Sequence, residues 1–265
     1  MKPKVSFITS VKNRAQELKE MLATLVAQDM PEWEAIVVDD HSIEPIQQVV
    51  ESFNDSRIRY YRLPKNQKGI SRARNYGIYK AQSNFILVAD SDDLNEPFRA
   101  RLTYNIMTRN KCDVFYGNMR IFVVGRRTRG RVFQPFNRGL LMMINFIPNP
   151  TSAFRKDKFL KIGGYDPEFV VSEDYDLWLR FLKAGAKFCY TRKVLVSYRW
   201  SRKGISKRKR QLLHFYIQKA RRKNEIEPVN IEKVRELARP GVARGILSKR
   251  GREVWQDDRF KGEAK

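Results

Sequence analysis

Asp90-Ser91-Asp92-Asp93 sets three carboxylates directly behind the run Asn84-Phe85-Ile86-Leu87-Val88-Ala89. Carboxylates so close repel one another and resist desolvation unless positive charge sits among them. A hard divalent cation, held by oxygens and carrying phosphates on its open side, would satisfy them. The competing reading is a solvated acidic turn that caps a helix ahead of Pro97. Two further acidic clusters follow the same habit. Asp39-Asp40 closes the apolar run Trp33–Asp39, and Glu173-Asp174 opens an amphipathic segment. A carboxylate at Asp40 could accept hydrogen bonds from a base or ribose, or else make a turn with His41-Ser42. Ser71-Arg72-Ala73-Arg74-Asn75 adds guanidinium groups after Gly69, and these pair naturally with phosphate oxygens. An exposed basic helix face is the plainer alternative in a chain with 53 Lys and Arg.

These residues need a scaffold, and the first 110 positions supply its rhythm. The pattern predicts strands at 4–10, 33–39, 58–63 and 84–89. It predicts helices at 15–28, 46–53, 69–81 and from Pro97 to about Asn110. Short Ile/Val/Phe-rich strands alternating with helices imply a mainly parallel sheet covered on both faces. In such a sheet Asp39-Asp40 and Asp90–Asp93 fall on one rim, at the carboxyl ends of the strands where ligands bind. Beyond Asp113 the rhythm changes. A strand is expected at 113–124, a basic turn at 125–131, and a helix end at Gly164. Ser172 is expected to cap a helix over 173–184, and a strand pair to follow at 187–200. Phe133–Phe146, rich in Met and aromatics, reads as core or as an apolar acceptor wall. Three segments result: 1–110, 111–206, and a basic extension over 207–265.

Composition bounds the partners. No stretch approaches the roughly 18 apolar residues that a membrane-spanning helix needs, and the amino terminus lacks a signal-type apolar core. Cys112 and Cys189 have no metal-type spacing and read as isolated core thiols, which favours a reducing, cytoplasmic setting. The net charge of +24 attracts polyanions, and residues 199–265 hold 21 Lys and Arg against 8 Asp and Glu. Within that tail, Lys207–Arg222 flanks Leu212, Leu213, Phe215, Tyr216 and Ile217 with cations. Such a helix could lie on anionic lipid at the inner membrane face, or dock its apolar stripe on the rest of the chain. A nucleic-acid-binding protein or metal-dependent nuclease is the alternative that charge suggests, but the chain carries none of the usual nucleic-acid modules.

Six segments together resemble the ordered signature of family 2 glycosyltransferases with the GT-A fold. They are KVSFITSVKNR (4–14), IVVDDHS (36–42), GISRARNYG (69–77), FILVADSDD (85–93), GGYD (163–166) and SEDYDLWLR (172–180). The resemblance spans about residues 4–206 and leaves the tail outside. It implies a Rossmann-like α/β domain and inverting transfer of a hexose from a nucleotide-diphosphate donor, with a UDP-sugar favoured. The acceptor would be a hydroxyl on a saccharide or lipid-linked acceptor of surface polysaccharide, lipopolysaccharide or glycolipid synthesis. Carried over by position, Ser10, Asn13, Asp40, Arg74, Asp90 and Glu173 border the donor. Asp92 and Asp93 hold Mn²⁺ or Mg²⁺, with Asp92 also contacting the donor, and Asp174 is the catalytic base. Gly163–Asp166 borders the acceptor.

Two departures bear on donor choice. Ser10-Val11-Lys12-Asn13 stands where the family usually has Pro-Thr-Tyr-Asn, so a lysine replaces an aromatic near the base. Ser201, after Tyr198-Arg199-Trp200, stands where many members carry a histidine close to the metal.

Overall fold

The computed structural model describes residues 2–123, 126–131, 133–200, 210–226 and 236–238. Ser201 and most of the basic extension lie outside these, so the expectations attached to them carry no structural account. In chain order the first part comprises β1 (Val5–Val11), α1 (Ala15–Val26), β2 (Trp33–Asp39), α2 (Ile46–Glu51), β3 (Ile58–Arg62), α3 (Ile70–Lys80) and β4 (Phe85–Val88). Strands β3, β2, β1 and β4 pair side by side, all parallel. Alternation along each strand explains why both faces must be covered. Ile36, Val38, Ile86 and Val88 enter one buried cluster, while Ala35, Val37, Leu87 and Ala89 enter the other. The register aligns Val11 with Asp39 and Ile8 with Val88, so the acids after β2 and β4 share one rim.

The second part completes the sheet differently. It comprises β5 (Leu94–Asn95), α4 (Arg99–Arg109), β6 (Val114–Val123), β7 (Arg126–Arg131), α5 (Arg138–Met143), β8 (Ala153–Arg155), α6 (Lys156–Lys161), α7 (Glu173–Lys183), β9 (Phe188–Arg199) and α8 (Arg210–Lys223). β8 runs antiparallel to β4 and β6, whereas β6 and β9 are parallel. The parallel half therefore ends at β4, and a mixed half extends the same sheet. Gly117 marks a close approach there: a Cβ would meet Leu195 Cδ1 at 2.7 Å and Thr191 Cγ2 at 2.8 Å, beside a register shift between β6 and β9.

Several expectations are corrected. Residues 126–131 form a strand against β6 where a turn was expected, because pairing along β6 gives their backbone N–H and C=O groups partners that a turn would leave open. The expected strand pair at 187–200 is the single strand β9, which pairs with β6 along its length and with β5 on its other edge at Val196 and Ser197. Ser172 sits in the left-handed region at φ 59° and makes no side-chain cap, so α7 begins without one. Within 133–146, Leu140, Leu141, Met143, Ile144 and Phe146 are buried, which makes that segment core. Among the described residues, no helix is long and apolar enough to cross a membrane.

The cysteines are also corrected. Cys112, just before β6, and Cys189, in β9, form a disulfide with a Cα separation of 5.9 Å. Pairing of β6 with β9 brings together residues 77 apart in sequence, which spacing alone does not signal. The inference of a reducing compartment from isolated thiols is withdrawn with it. Closing a loop of that length should stabilise the fold by up to about 4 kcal/mol. Dithiothreitol is accordingly expected to lower the melting temperature of the wild type and leave that of Cys112→Ser unchanged. Equal responses of the two proteins would refute the cross-link.

Candidate active site

Helix α3 is the organiser. Ser71, Arg74 and Asn75 are three and four residues apart and so lie on one face. Arg74 is 3% exposed and bridges two acidic clusters: Nη2 meets Asp90 Oδ1 at 2.7 Å and Nη1 meets Glu173 Oε1 at 2.5 Å. Those two carboxylates hold its guanidinium charged despite burial, and push its pKa above the ordinary arginine value. Asn75 latches the neighbouring loop, donating to Tyr165 O at 2.7 Å and accepting from Tyr165 N at 2.9 Å. Gly164 makes this possible: its φ is +72°, and a Cβ there would press on Asn75 Oδ1 at 3.0 Å. Ser71 Oγ donates to Phe169 O at 3.1 Å, so three side chains of one helix face fasten the segment leading into α7.

At the first rim loop, Ser10 is the half-buried next-to-last residue of β1, and Asn13 adopts φ 52°. The Asn13 N–H donates to Ser42 Oγ, and its Oδ1 accepts from Ile43 N, which ties this loop to the one after β2. Asp39 makes the turn, accepting from Ser42 N at 2.8 Å and from Tyr60 Oη at 3.0 Å. Asp40 accepts from Gly69 N, immediately before α3, and Lys12 Nζ lies 3.8 Å from its Oδ2.

At the second rim loop, Asp90 belongs to Arg74. Asp92 pairs with Arg14, a residue the motif comparison did not single out. Burial raises the Asp92 pKa, and the Arg14 charge opposes that rise. Asp93 is 2% exposed; its Oδ1 accepts from Arg199 N, while its Oδ2 is buried without a partner. Burial and the charges of Asp90 and Asp92 drive its pKa well above the carboxylate range. The same acids, after burial, push the Tyr198 hydroxyl up to about 12. Beneath them Arg99 is fully buried, donating to Val88 O at 2.7 Å and to Asn95 Oδ1, and burial lowers its pKa to about 10.

Among the described residues, no group of three or more His, Cys, Asp or Glu is gathered tightly enough to cage a metal. The donor chemistry nonetheless fits a hard cation shared with phosphates. The set is all oxygen, its charges repel, and the orphaned Oδ2 of Asp93 lacks the partner that a buried carboxylate requires.

Helix α7 supplies the third cluster. Asp174 lies next to Glu173 and accepts from Asn145 Nδ2 at 3.1 Å and from Tyr175 N at 2.8 Å. Burial first, then the Glu173 charge, lift its pKa to about 7, against the opposing pull of Asn145 and Arg74. Desolvation outweighs the helix-terminus effect that would have kept this carboxyl strongly acidic. Asp176 is fully buried and held by Arg180, Lys223 and Asn224, so α8 is bolted to α7 by charge as well as by Ile217 and Ala220. Arg14 and Asn145 were not legible as site residues, because each meets its acidic partner through chain-distant packing.

The arrangement thus sets three acidic clusters around α3, with Asp40 at its amino end and Asp90 and Glu173 bridged by Arg74 from its middle. Comparison with known proteins bears on the family and the fold. The profile of "Glycosyl transferase family 2" matches residues 6–166, which stops short of Asp174. Over 223 residues the chain is 26% identical to an Escherichia coli UDP-Gal:alpha-D-GlcNAc-diphosphoundecaprenol beta-1,3-galactosyltransferase, covering 78% of each protein. It is 28% identical over 191 residues to an Escherichia coli UDP-Glc:alpha-D-GlcNAc-diphosphoundecaprenol beta-1,3-glucosyltransferase, covering 68% of this chain and 70% of that one. Among solved structures, S. aureus TarS 1-349 in complex with UDP superposes with a TM-score of 0.63 at 23% identity, over 76% of this chain and 61% of that one. The mannosyltransferase PcManGT from Pyrobaculum calidifontis, in complex with GDP-Man and Mn²⁺, superposes with a TM-score of 0.65 at 15% identity, over 94% of this chain and 71% of that one. These two likenesses speak to the fold, which is that of GT-A glycosyltransferases. With its profile covering more than half of the residues, the chain belongs to glycosyl transferase family 2 and is a glycosyltransferase.

Proposed function

We propose that the protein transfers a hexose, with inversion, from a UDP-sugar to a hydroxyl of a lipid-diphosphate-linked saccharide during surface polysaccharide synthesis. The observation that carries this reading is the buried Arg74, which couples the acids after β4 to the acid pair opening α7. A donor-side cluster and a proton acceptor joined by one guanidinium suit a single displacement, in which the base works opposite the departing phosphate. The named E. coli relatives, whose acceptors are GlcNAc-diphosphoundecaprenol, support the substrate class.

In this reading Ser10, Asn13 and Asp40 border the nucleoside, and Asp40 offers its carboxylate to the base. Asp92 and Asp93 would hold Mn²⁺ or Mg²⁺, which supplies Lewis-acid stabilisation of the leaving diphosphate when bound. Arg14 neutralises Asp92 from the protein side. Arg74 orients Asp90 and Glu173, and Asp174 takes the proton of the acceptor hydroxyl. Leu212 and Phe215 of α8 remain 43% and 42% exposed beside basic residues, which suits peripheral contact with an anionic inner membrane face where such an acceptor resides.

A thermal-shift screen tests the donor. UDP with Mn²⁺ is expected to raise the melting temperature by several degrees, with UDP alone giving a smaller rise and Asp92→Ala removing the difference. Salt-steep binding of DNA or RNA without any UDP response would favour the nucleic-acid alternative instead.

A further inference from the structure

The loop between α5 and β8 reaches the base through one side chain. After α5 the backbone turns extended, with Ile144 at φ −146° and ψ 151°. Successive side chains then alternate in direction. Ile144 and Phe146 are 2% and 5% exposed and anchor in the core, while Asn145 between them is half-buried and meets the first turn of α7. There its Nδ2 donates to Asp174 Oδ2 at 3.1 Å, while its Oδ1 is buried with no partner. The other carboxylate oxygen, Oδ1, is taken by Tyr175 N at 2.8 Å. A buried amide oxygen left unpaired is a cost that a purely structural asparagine would avoid.

We propose that Asn145 is the positioning residue of the catalytic base: its amide N–H fixes the Asp174 carboxylate by Oδ2 and holds it ready for the acceptor proton. This rests on the base assignment given above. The proton passes from the acceptor hydroxyl to Asp174 as the hydroxyl oxygen bonds to the anomeric carbon, and the bond to the nucleoside diphosphate breaks with its electron pair leaving on phosphate. Asn145 takes no proton. It stabilises the carboxylate form, opposing Glu173 from the adjoining position of α7, while Arg74 from α3 acts in the same sense and Tyr165 faces the pair from the Gly163–Asp166 loop.

The test is a ¹³C-carboxyl NMR titration of Asp174 in the full chain without divalent cation, assigned by loss of its resonance in Asp174→Asn. Asn145→Ala is expected to move the Asp174 midpoint up by about one pH unit, the scale of one lost hydrogen bond to a carboxylate. Asn145→Asp should move it further, and Asn145→Ser, which keeps a donor, should restore part of the shift and also serves if the alanine variant fails to fold. In transfer assays the acid limb of kcat/KM should follow the same order, with KM for the UDP-sugar unchanged. An unmoved midpoint in a folded variant, or a loss of rate equal at every pH, would overturn the proposal. If the wild type transferred no sugar while the midpoint moved, the base assignment would fall and the Asn145–Asp174 coupling would stand.

Discussion

Asp174→Asn is expected to cut sugar transfer by about 10²–10⁴-fold, the scale of a lost general base, while UDP-sugar binding stays within about twofold of wild type because the donor-side acids are untouched. Steady-state transfer to a GlcNAc-diphospholipid, with calorimetric titration of UDP, separates the two effects. The wild-type rate should fall as the pH drops below about 7, where the Asp174 carboxyl takes up its proton. The same shift has a stability consequence of fixed sign. A carboxyl whose native pKa is raised contributes stability that is complete below its unfolded value near 4, and that is lost as the pH rises through the native value near 7. Asp174→Asn, which never ionises, should therefore melt higher than wild type at pH 8, with the gap closing toward pH 4. Near-full transfer by the variant would assign the base elsewhere.

Arg74→Met should have the largest effect on stability. It leaves the largely buried Glu173 and the partly exposed Asp90 without the positive charge that now bridges them. Removing one partner from a buried ion pair typically costs about 3–5 kcal/mol, and urea unfolding would register it as a lower midpoint. The loss should be largest at neutral pH and shrink as acid protonates the stranded carboxylates. Arg74→Lys should recover only part, because one ammonium cannot serve two carboxylates on opposite sides as a forked guanidinium does. Arg74→Met with unfolding free energy within about 1 kcal/mol of wild type would show that the bridge contributes little.

Arg14 and Asn145 show why part of the site escaped a reading of the chain. Arg14 is one of 53 cations in the sequence and gains meaning only because the β1 loop lies across the β4 loop from it. Asn145 sits in a stretch whose composition announces core, and its neighbours are core. The one side chain that turns toward Asp174 is selected by an extended backbone after α5, which no local signal encodes.

What the sequence alone determined were the features written in local periodicity: strands β1 to β4 and their helices, hence a parallel half-sheet whose geometry forces the acids after β2 and β4 onto one rim. The ordered motifs added the family. Only tertiary structure decided the partners of each charge, the pairing of Cys112 with Cys189, the single long β9, and the lifting of Asp174 to about 7. The physical reason is common to all four. Desolvation, ion pairing and strand pairing depend on residues brought close in space from far apart in the chain, and periodicity reports only on neighbours a few positions away.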